Sequence, residues 1–520
     1  MKNQLPFILF SLLLIGSSCQ TEEAPTSTPP NIIYVLADDL GYGDIAAFNE
    51  NGKIPTPNID RMAAQGVKFT DAHSASAVCT PTRYSTLTGR YNWRTRLKSG
   101  VLTGKSKALI PNDRSTVASM LKGNGYQTAF IGKWHLGWDW ALKTDTLGGT
   151  GWNATDFDNL DFTKPITNTP NDLGFDYAYG HSGSLDMAPY VYVENGRATQ
   201  VPDTVTVDKG KYTWWREGPT SSDFIHEQVT PHFFEKALNF ITSSSKEEPF
   251  FLYLALPSPH TPILPTENWL GKSNLNPYAD FVMQIDDHMG QLMKTLVEQG
   301  IDQNTLVIFT SDNGCSPQAD FEVLGAKGHD PSYIYRGHKA DIYEGGHRVP
   351  YIARWPAGAK AGMSSNQLVC STDLMATCAA IIGYELADDE GEDSYSFLDQ
   401  LEGGTADNQR PDIIHHSING AFAIREGDYK LIMNPGSGGW SFPTRKQVQE
   451  IDTFPPIQLY NLANDPAEAN NLQAIEVDKV IVMMESLSNY ILQGRSTAGA
   501  PQENDAFEGE WKQISFTAKE

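Results

Sequence analysis

The stretch Ile32-Ile33-Tyr34-Val35-Leu36 is a short apolar run that passes directly into Ala37-Asp38-Asp39. Such a run, ending in polar residues, is typical of a strand that is buried in a parallel sheet. Three further runs, residues 128–131, 250–256 and 306–309, lead into Gly132-Lys133-Trp134-His135, Pro257-Ser258-Pro259-His260 and Thr310-Ser311-Asp312-Asn313. Because ligands bind outside the carboxyl ends of the strands in open α/β sheets, we expect the four polar segments to meet at one site.

Helical patterns separate these runs. Apolar residues at helical spacing precede Gly66, and a longer set extends from Tyr278 to Glu298, just before Gly300. A glycine directly after a periodic segment is typical of a helix end. The alternation of strand and helix predicts a main domain of the α/β class over residues 31–400, in which helices flank a large, mostly parallel central sheet.

The pattern changes after residue 400. Two short apolar runs flank the turn Glu426-Gly427-Asp428, which predicts a hairpin. Residues 475–492 predict a last helix that ends before Gly494. We therefore predict a smaller C-terminal subdomain of the α+β class over residues 401–520.

Composition and charge limit the classes of protein that remain. The chain has 520 residues, 40% of them hydrophobic, which is long and apolar enough to bury a large core. The formal net charge of −24 argues against nucleic-acid binding, because phosphate groups are bound by basic surfaces. If the substrate is an anion, its pocket must be locally cationic. The five cysteines are widely and irregularly spaced, so they indicate neither a disulfide framework nor a zinc site.

The N-terminus has the length and flanks of an export signal rather than of a membrane span. Met1-Lys2 is followed by an apolar run over residues 5–15 and by Gly16-Ser17-Ser18, directly before Cys19. This order resembles a bacterial lipoprotein signal over residues 1–19, in which Cys19 would carry the lipid and anchor the chain to a membrane, although Gly16 stands where leucine is usual. Cleavage by ordinary signal peptidase is the alternative. Residues 20–30 predict a flexible linker, and the protein is expected to be exported, either to the periplasm or cell surface as a lipoprotein or as a secreted protein.

Cys79 opens the segment Cys79-Thr80-Pro81-Thr82-Arg83, which is followed by Leu87-Thr88-Gly89-Arg90. Pro81 suits the first turn of a helix, so residue 79 would lie at a helix N-terminus, where free backbone N–H groups favour an anion. Arg83 would lie one turn further along, on the same face. A lone cysteine is more often a small buried apolar residue than a nucleophile, and the cysteine alone does not decide between the two.

The other polar segments supply candidate ligands and charges. Asp38, Asp39, Asp312 and Asn313 form an oxygen-only set that suits Ca²⁺ or Mg²⁺, although each pair can equally cap a turn. Lys133, His135, His260 and Lys339 can supply fixed positive charge and a proton, although a single lysine or histidine is usually structural.

The segment from Cys79 to Arg83, with the Thr-Gly-Arg that follows, resembles the signature of the formylglycine-dependent (type I) sulfatases. These are arylsulfatase-like members of the alkaline phosphatase-like superfamily. Residues 37–44, 311–314, 343–350 and 459–472 match the same family, and the resemblance extends from about residue 31 to beyond residue 490. It implies an alkaline phosphatase-like fold, a catalytic sulfatase domain over residues 31–400, and oxidation of Cys79 to formylglycine (3-oxoalanine) by a separate maturation enzyme.

The resemblance also implies a mechanism. A divalent cation, usually Ca²⁺, would be held by Asp38, Asp39, Asp312, Asn313 and the modified Cys79. The hydrated formylglycine, held by Arg83, Lys133 and His135, would attack sulfur, while His260 and Lys339 assist departure of the alcohol. Two substrate contacts are further implied. Ser184 matches a residue that touches sulfate in relatives, and His338, in Arg336-Gly337-His338-Lys339, stands where many relatives have glycine and is either a substrate contact or a spacer.

These features together predict an exported sulfatase that acts on sulfated carbohydrates or polysaccharides. Two alternatives stay open at this point. Relatives with the same nucleophile cleave phosphonate esters or phosphodiesters. A non-catalytic lipoprotein that binds sulfated glycans through a decayed site would have the same N-terminus, although the complete set of candidate catalytic residues argues against decay.

Overall fold

The computed structural model describes residues 29–144, 157–404, 410–451, 453–506 and 511–517. The predicted signal peptide, with Cys19, and the linker up to residue 28 lie outside the described residues. Within the described ranges, no helix is both long and apolar enough to cross a bilayer.

The strands of the described residues are β1 (Asn31–Asp38), β2 (Val67–Phe69), β3 (Ala72–His73), β4 (Gln127–Lys133), β5 (Tyr177–His181), β6 (Val193–Glu194), β7 (Arg197–Ala198), β8 (Thr204–Asp208), β9 (Trp215–Thr220), β10 (Phe250–Pro259), β11 (Thr305–Ser311), β12 (Tyr351–Arg354), β13 (Met363–Ser365), β14 (Val369–Cys370), β15 (Asp412–His416), β16 (Phe422–Glu426), β17 (Tyr429–Ile432) and β18 (Gln458–Asn461). The helices are α1 (Pro57–Gln65), α2 (Cys79–Thr88), α3 (Val117–Gly123), α4 (Val229–Ser243), α5 (Pro277–Gln299), α6 (Phe321–Ala326), α7 (Glu344–His347), α8 (Leu374–Ile382), α9 (Leu398–Glu402), α10 (Arg445–Glu450) and α11 (Val477–Gln493).

Ten of these strands form one mixed sheet in the order β13-β2-β12-β11-β1-β10-β4-β5-β6-β7. The five central strands, from β11 to β5, are all parallel, whereas β12 and β6 pair antiparallel with their inner neighbours. β1 lies at the centre, with Ile32 in register with both Phe251 and Leu306. A strand with neighbours on both edges and helices on both faces must be apolar throughout, which is why residues 32–36 are a continuous run. The prediction of an α/β fold around a large central sheet is confirmed.

The side chains of β1 alternate between two buried layers. Ile33 and Val35 point into a core with helices α1, α4 and α5, whereas Ile32 and Tyr34 point into a second core with α2, α3 and α8. Each face of the sheet is therefore covered by helices, as a parallel sheet requires.

A smaller antiparallel sheet, β15-β16-β17-β18, follows the large one along the chain. Helix α11 packs across it through Val480, Met483 and Leu487, and this core also includes Trp93 from the main domain. The hairpin expected around the turn at residues 426–428 is formed by β16 and β17, and the expected last helix is α11. The predicted C-terminal α+β subdomain is confirmed.

A buried ion pair of the main domain also contacts the C-terminal subdomain. Arg94 donates two hydrogen bonds of 2.8 Å to Asp393, and both side chains are fully buried. A third donor of Arg94 reaches the carbonyl oxygen of Tyr490 in α11 at 3.0 Å. Burial alone would raise the pKa of Asp393, but the charge of Arg94 holds it below its ordinary value.

We expect Asp393→Ala to lower the free energy of unfolding by roughly 3–5 kcal/mol, because the substitution leaves the Arg94 guanidinium buried without its partner. Urea unfolding followed by circular dichroism measures the change. Glu450→Ala, which breaks an exposed pair with Lys446, is the control and should leave the midpoint near that of the wild type. An Asp393→Ala midpoint equal to that of the control would contradict the prediction.

Candidate active site

The four polar segments meet at the carboxyl edge of the parallel strands. Asp38 is the last residue of β1 and Lys133 the last of β4, while Asp312 follows β11 and His260 follows β10. All four side chains are buried. The shared edge of the sheet thus brings together residues that are far apart in the sequence, such as Asp39 and Asn313, which are 274 positions apart.

The backbone around Lys133 depends on a glycine. Gly132 has a φ of 129°, and a Cβ at this position would lie 1.8 Å from the carbonyl oxygen of Ala255 in β10. Only glycine lets β4 approach β10 this closely in that conformation. The close approach brings Lys133 toward Asp38, with 2.5 Å between Nζ and Oδ2.

Cys79 is the first residue of α2, and the extended residue Val78 precedes it. Its side chain is buried and forms no disulfide. Its sulfur and one carboxylate oxygen each from Asp38 and Asp312 all lie within 4.8 Å of one another. Burial raises the pKa of the Cys79 thiol, so the site stabilises the neutral form rather than a thiolate. An unmodified Cys79 is therefore not activated as a nucleophile.

Arg83, one turn along α2, points at a carboxylate behind residue 79. Its Nε and Nη2 donate to Oδ2 of Asp312 at 3.1 and 2.8 Å, and Nη1 donates to the carbonyl oxygen of Lys133 at 3.0 Å. The guanidinium is fully buried, as is the carboxylate it binds. Arg83 therefore orients Asp312 and links α2 to β4.

The carboxylates form one connected cluster. The backbone N–H of Asp39 donates to Asp312 at 3.2 Å, and the side-chain amide of Asn313 donates to Asp39 at 2.7 Å. Lys339 Nζ lies 2.7 Å from Oδ1 of Asp39 and 2.8 Å from Oδ2. Each negative group thus has a cation or an amide beside it, but the three carboxylates still share a small buried volume.

The pKa values of two of these carboxylates shift in opposite directions. Burial would raise the pKa of Asp38, but the charges of Lys133, His260 and Arg83 hold it well below its usual range. Burial and the nearby charge of Asp38 raise the pKa of Asp312 to about 7. An additional cation between these like charges would stabilise both carboxylates in their charged form.

The donor atoms fit a divalent cation. Oδ1 of Asp38 and Oδ1 of Asn313 are buried and accept no hydrogen bond from the described residues. Buried acceptors without a donor are costly, and oxygen-only ligand sets are those that Ca²⁺ and Mg²⁺ prefer. Asp38, Asp39, Asp312 and Asn313 can therefore hold such an ion.

The two candidate histidines differ in their surroundings. His260 Nδ1 contacts the carbonyl oxygen of Thr261 at 2.5 Å, so this nitrogen carries a proton, and Nε2 faces Asp39 at 3.7 Å. His135 Nε2 contacts the carbonyl oxygen of Leu102 at 2.8 Å. Burial lowers the pKa of both rings, and for His135 the charge of Lys133 lowers it further.

Ser184 and His338 differ in where they lie relative to this cluster. Ser184 accepts a hydrogen bond from Lys133 Nζ at 2.8 Å and lies 3.4 Å from His260 Nε2, so the structure brings it to the cluster. His338 Nδ1 lies 3.0 Å from the carbonyl oxygen of Lys339 and 3.4 Å from Asp341, and its ring packs near Phe321. His338 is not among the residues that line the cleft described next. Its role in substrate binding stays a prediction.

A cleft of about 740 Å³ opens above the cluster, and Cys79, His260 and Lys339 form part of its lining. Its other walls include Asp186, Lys211, Trp214, Arg216 and Trp440. For Asp186 and Trp214 a signal existed, because Asp186 lies two residues after Ser184 and Trp214 belongs to a tryptophan pair. No sequence signal pointed to Arg216 or Trp440. Arg216 reaches the cleft from the hairpin of β8 and β9, and Trp440 reaches it from a loop in the C-terminal part of the chain.

The arrangement suits a substrate with a compact, negatively charged oxygen group. Lys133 and Lys339 lie beside residue 79 in a buried setting, where fixed charges act more strongly than they would in water. The carboxylate cluster can add a metal ion to these charges. His260 Nε2, on the same side, can exchange a proton with a reacting group.

Comparisons with known proteins agree with this geometry. The family model for sulfatases matches residues 30–384. An N-acetylgalactosamine-6-O-sulfatase from Bacteroides thetaiotaomicron is 34% identical over 528 residues, which cover 93% of this chain and 98% of the relative. Arylsulfatase A from Homo sapiens is 30% identical, over 85% of this chain and 83% of its own length. A solved structure from work on the metabolism of multiple glycosaminoglycans by Bacteroides thetaiotaomicron superposes with a TM-score of 0.74 at 33% identity, covering 89% of this chain and 99% of the other.

Proposed function

Because the chain belongs to the sulfatase family, whose members hydrolyse sulfate esters, we propose that it removes sulfate from sulfated carbohydrates through a formylglycine formed at residue 79. One arrangement supports this most strongly. The buried carboxylates and Lys133 and Lys339 surround Cys79 at the base of a cleft that is large enough for a small ligand. The carbohydrate part of the proposal is supported by the similarity to the N-acetylgalactosamine-6-O-sulfatase.

Different groups at the site would supply the nucleophile and the positive charge that the reaction needs. Formylglycine would supply, as its hydrate, the hydroxyl group that attacks sulfur. A divalent cation held by Asp38, Asp39, Asp312 and Asn313, with Ca²⁺ as the proposed ion, would supply further positive charge for the sulfate oxygens. Lys133, fixed between Asp38 and Ser184, would add the charge of its ammonium group for the same oxygens.

Departure of the alcohol requires a proton at the leaving oxygen. His260 would supply it in the protonated form of the ring, in which Nδ1 still donates to the carbonyl oxygen of Thr261 and Nε2 carries the proton that passes to the leaving oxygen. Lys339, held by Asp39, adds positive charge on this side of residue 79. Arg83 and His135 act behind the reacting groups, since both are fully buried. Arg83 orients Asp312, and His135 is held by Leu102 next to Lys133.

We expect His260→Ala to lower kcat on a sugar sulfate by about 10²- to 10⁴-fold, the range for loss of a general acid or base. The loss on 4-nitrophenyl sulfate should be much smaller, because nitrophenolate is a good leaving group that needs little protonation. Steady-state kinetics on the two substrates measure the difference. Equal losses on both would contradict a role for His260 in protonating the leaving group.

Two measurements on one preparation test the proposed function. The protein is produced in a host that contains a formylglycine-generating maturation enzyme, and peptide mass spectrometry reads residue 79 in the tryptic fragment of residues 69–83. Release of sulfate from sulfated monosaccharides and of phosphate from phosphodiesters is then assayed in parallel. We expect an aldehyde at residue 79 and sulfate release well above phosphate release. An unmodified thiol in that host, or preferential phosphate release, would overturn the proposal.

We further propose that the protein is exported and that Cys19 is lipidated, which would hold the enzyme on a membrane. The support is the order of charged, apolar and small residues over residues 1–19. Secretion after ordinary cleavage is the alternative, and metabolic labelling with a fatty acid distinguishes the two.

A further inference from the structure

Trp440 is an exposed tryptophan on one wall of the cleft. It is 43% exposed, and it lines the same cleft as Cys79 and Lys339. Most tryptophans are largely buried, so one that is left open inside a catalytic cleft indicates an apolar surface that a ligand covers. The proposed mechanism does not use this side chain, since an indole is neither a nucleophile nor a metal ligand.

The loop that carries Trp440 is held by the carboxylate of Asp341, which is fully buried. The backbone N–H groups of Trp440 and Ser441 donate to Oδ1 of Asp341 at 2.8 and 3.0 Å. At the start of the same loop, the carbonyl oxygen of Ser437 accepts a hydrogen bond of 2.8 Å from the backbone N–H of Ile342. The backbone that presents the tryptophan is thus fixed before any ligand binds, which lowers the entropic cost of binding.

The turn at Ala340 connects this loop to the backbone beside residue 79. The backbone N–H of Ala340 donates to the carbonyl oxygen of Ala77 at 2.8 Å, two residues before Cys79. Gly439 packs against the same turn so closely that a Cβ would lie 2.4 Å from the carbonyl oxygen of Ala340. The position of Trp440 relative to residue 79 is therefore set by backbone contacts.

Asn419 supplies a polar group on the same wall of the cleft. Its backbone N–H donates to the carbonyl oxygen of Gly438 at 3.2 Å, so it lies next to the loop that carries Trp440. Asn419 is exposed, and its side-chain amide forms no hydrogen bond with another residue that the structure describes. A side-chain amide can both donate to a ligand and accept from it.

The two side chains together suit a sugar ring. A pyranose has a face of C–H groups that packs on an aromatic ring, and hydroxyl groups at its edge that donate and accept hydrogen bonds. An aryl group could use the aromatic surface but has no hydroxyl groups for the amide. Because both side chains are uncharged, they complement the neutral part of a sulfated sugar, while the buried lysines serve its sulfate group.

We propose that Trp440 is the platform on which the sugar ring that carries the scissile sulfate stacks, and that Asn419 binds hydroxyl groups at the edge of that ring. This inference rests on the proposed function, because it assigns the sugar subsite of the same cleft. Both residues determine specificity by contacting the sugar, and neither takes part in breaking the S–O bond.

The first test separates KM from kcat. The sugar probe is the compound that the wild type hydrolyses fastest from a set of sulfated monosaccharides that includes N-acetylgalactosamine 6-sulfate. We expect Trp440→Ala to raise KM for this sugar by about 10-fold and to leave kcat within about 2-fold of the wild type, because stacking binds the ground state and the transition state alike. Trp440→Phe keeps a smaller ring and should raise KM less. The Ki of inorganic sulfate, which lacks the sugar, should not change.

The second test distinguishes a sugar from an aryl group. Because 4-nitrophenyl sulfate has no hydroxyl groups, Asn419→Ala should lower the ratio of kcat/KM for the sugar to kcat/KM for the aryl sulfate by about 3- to 10-fold, the loss typical of a hydrogen bond between neutral groups. Phe442→Ala is the control for both tests. Phe442 is an aromatic residue two positions after Trp440 and is 57% exposed, but it is not among the described residues that line the cleft. Thermal unfolding midpoints show that each variant is folded.

An unchanged KM of Trp440→Ala for the sugar, a rise in KM for the aryl sulfate alone, or an equal rise in the Ki of inorganic sulfate would overturn the platform while leaving the proposed function intact. An unchanged ratio for Asn419→Ala would overturn its role. Wild-type enzyme that carries formylglycine and hydrolyses 4-nitrophenyl sulfate but no sugar sulfate would instead overturn the proposed carbohydrate substrate, and the subsite with it.

Discussion

Cys79→Ala should release sulfate at least about 10³-fold more slowly than the wild type, because no aldehyde can form at residue 79 and the nucleophile is lost. The fold should persist. The alanine keeps the small apolar volume at the start of α2, and Arg83 still holds Asp312 behind it. Sulfate release from a sugar sulfate and thermal unfolding of the same purified preparation measure both expectations.

Cys378→Ala is the matched control for this prediction. Cys378 is also a fully buried thiol, but it lies in α8, away from the cleft. Its substitution should leave sulfate release close to that of the wild type. Undiminished release by Cys79→Ala, with Cys378→Ala equally active, would show that the reaction does not depend on residue 79.

Asp312→Asn should weaken Ca²⁺ binding by at least about 100-fold, since even residues that only support a metal ligand typically contribute 10- to 100-fold. The substitution removes one of the three clustered carboxylate charges and leaves Arg83 with a neutral partner. Calorimetric titration of the metal-free protein with Ca²⁺ and with Mg²⁺ measures affinity without reference to activity.

Thermal unfolding provides a second readout for the same prediction. Because a ligand that binds only the folded state stabilises it, Ca²⁺ should raise the midpoint of the wild type, and a chelator should reverse the shift. Asp312→Asn should show almost no shift, whereas Asp478→Asn, an exposed carboxylate in α11, should respond as the wild type does. A full Ca²⁺-induced shift in Asp312→Asn would show that the carboxylate cluster is not the metal site.

Much of the fold was predictable from local patterns. Residues 32–36 and 306–309 are apolar throughout because their strands have neighbours on both edges and helices on both faces. An uninterrupted apolar run therefore predicts a buried strand. The hairpin at residues 426–428 and helix α11 were predictable for a similar reason, since turn residues and helical periodicity are local signals. The antiparallel edges of the sheet were not predictable, because β2, β6 and β7 have only two or three residues each and no distinctive pattern.

The candidate site was also predictable in part. Its residues come from strand ends, and the ends of parallel strands share one edge of the sheet, so Asp38, Lys133, His260 and Asp312 could be grouped before their contacts were known. The hydrogen-bond partners of each side chain within this group could not be predicted from the sequence. Arg83 binds Asp312, and His338 turns toward Asp341, because buried side chains adopt the hydrogen bonds that their neighbours leave open.

The sequence by itself determined the family and predicted the nucleophile position and the ligand types, because these depend on residue identity at short spacing, as in Cys79-Thr80-Pro81-Thr82-Arg83. Only the tertiary structure decided which distant segments share the cleft. Arg216 and Trp440 are 224 positions apart (440 − 216) and belong to a hairpin insertion and a C-terminal loop, yet both line the wall beside residue 79. No local pattern encodes that proximity. It follows from how two packed layers bring a hairpin and a loop over the same sheet edge.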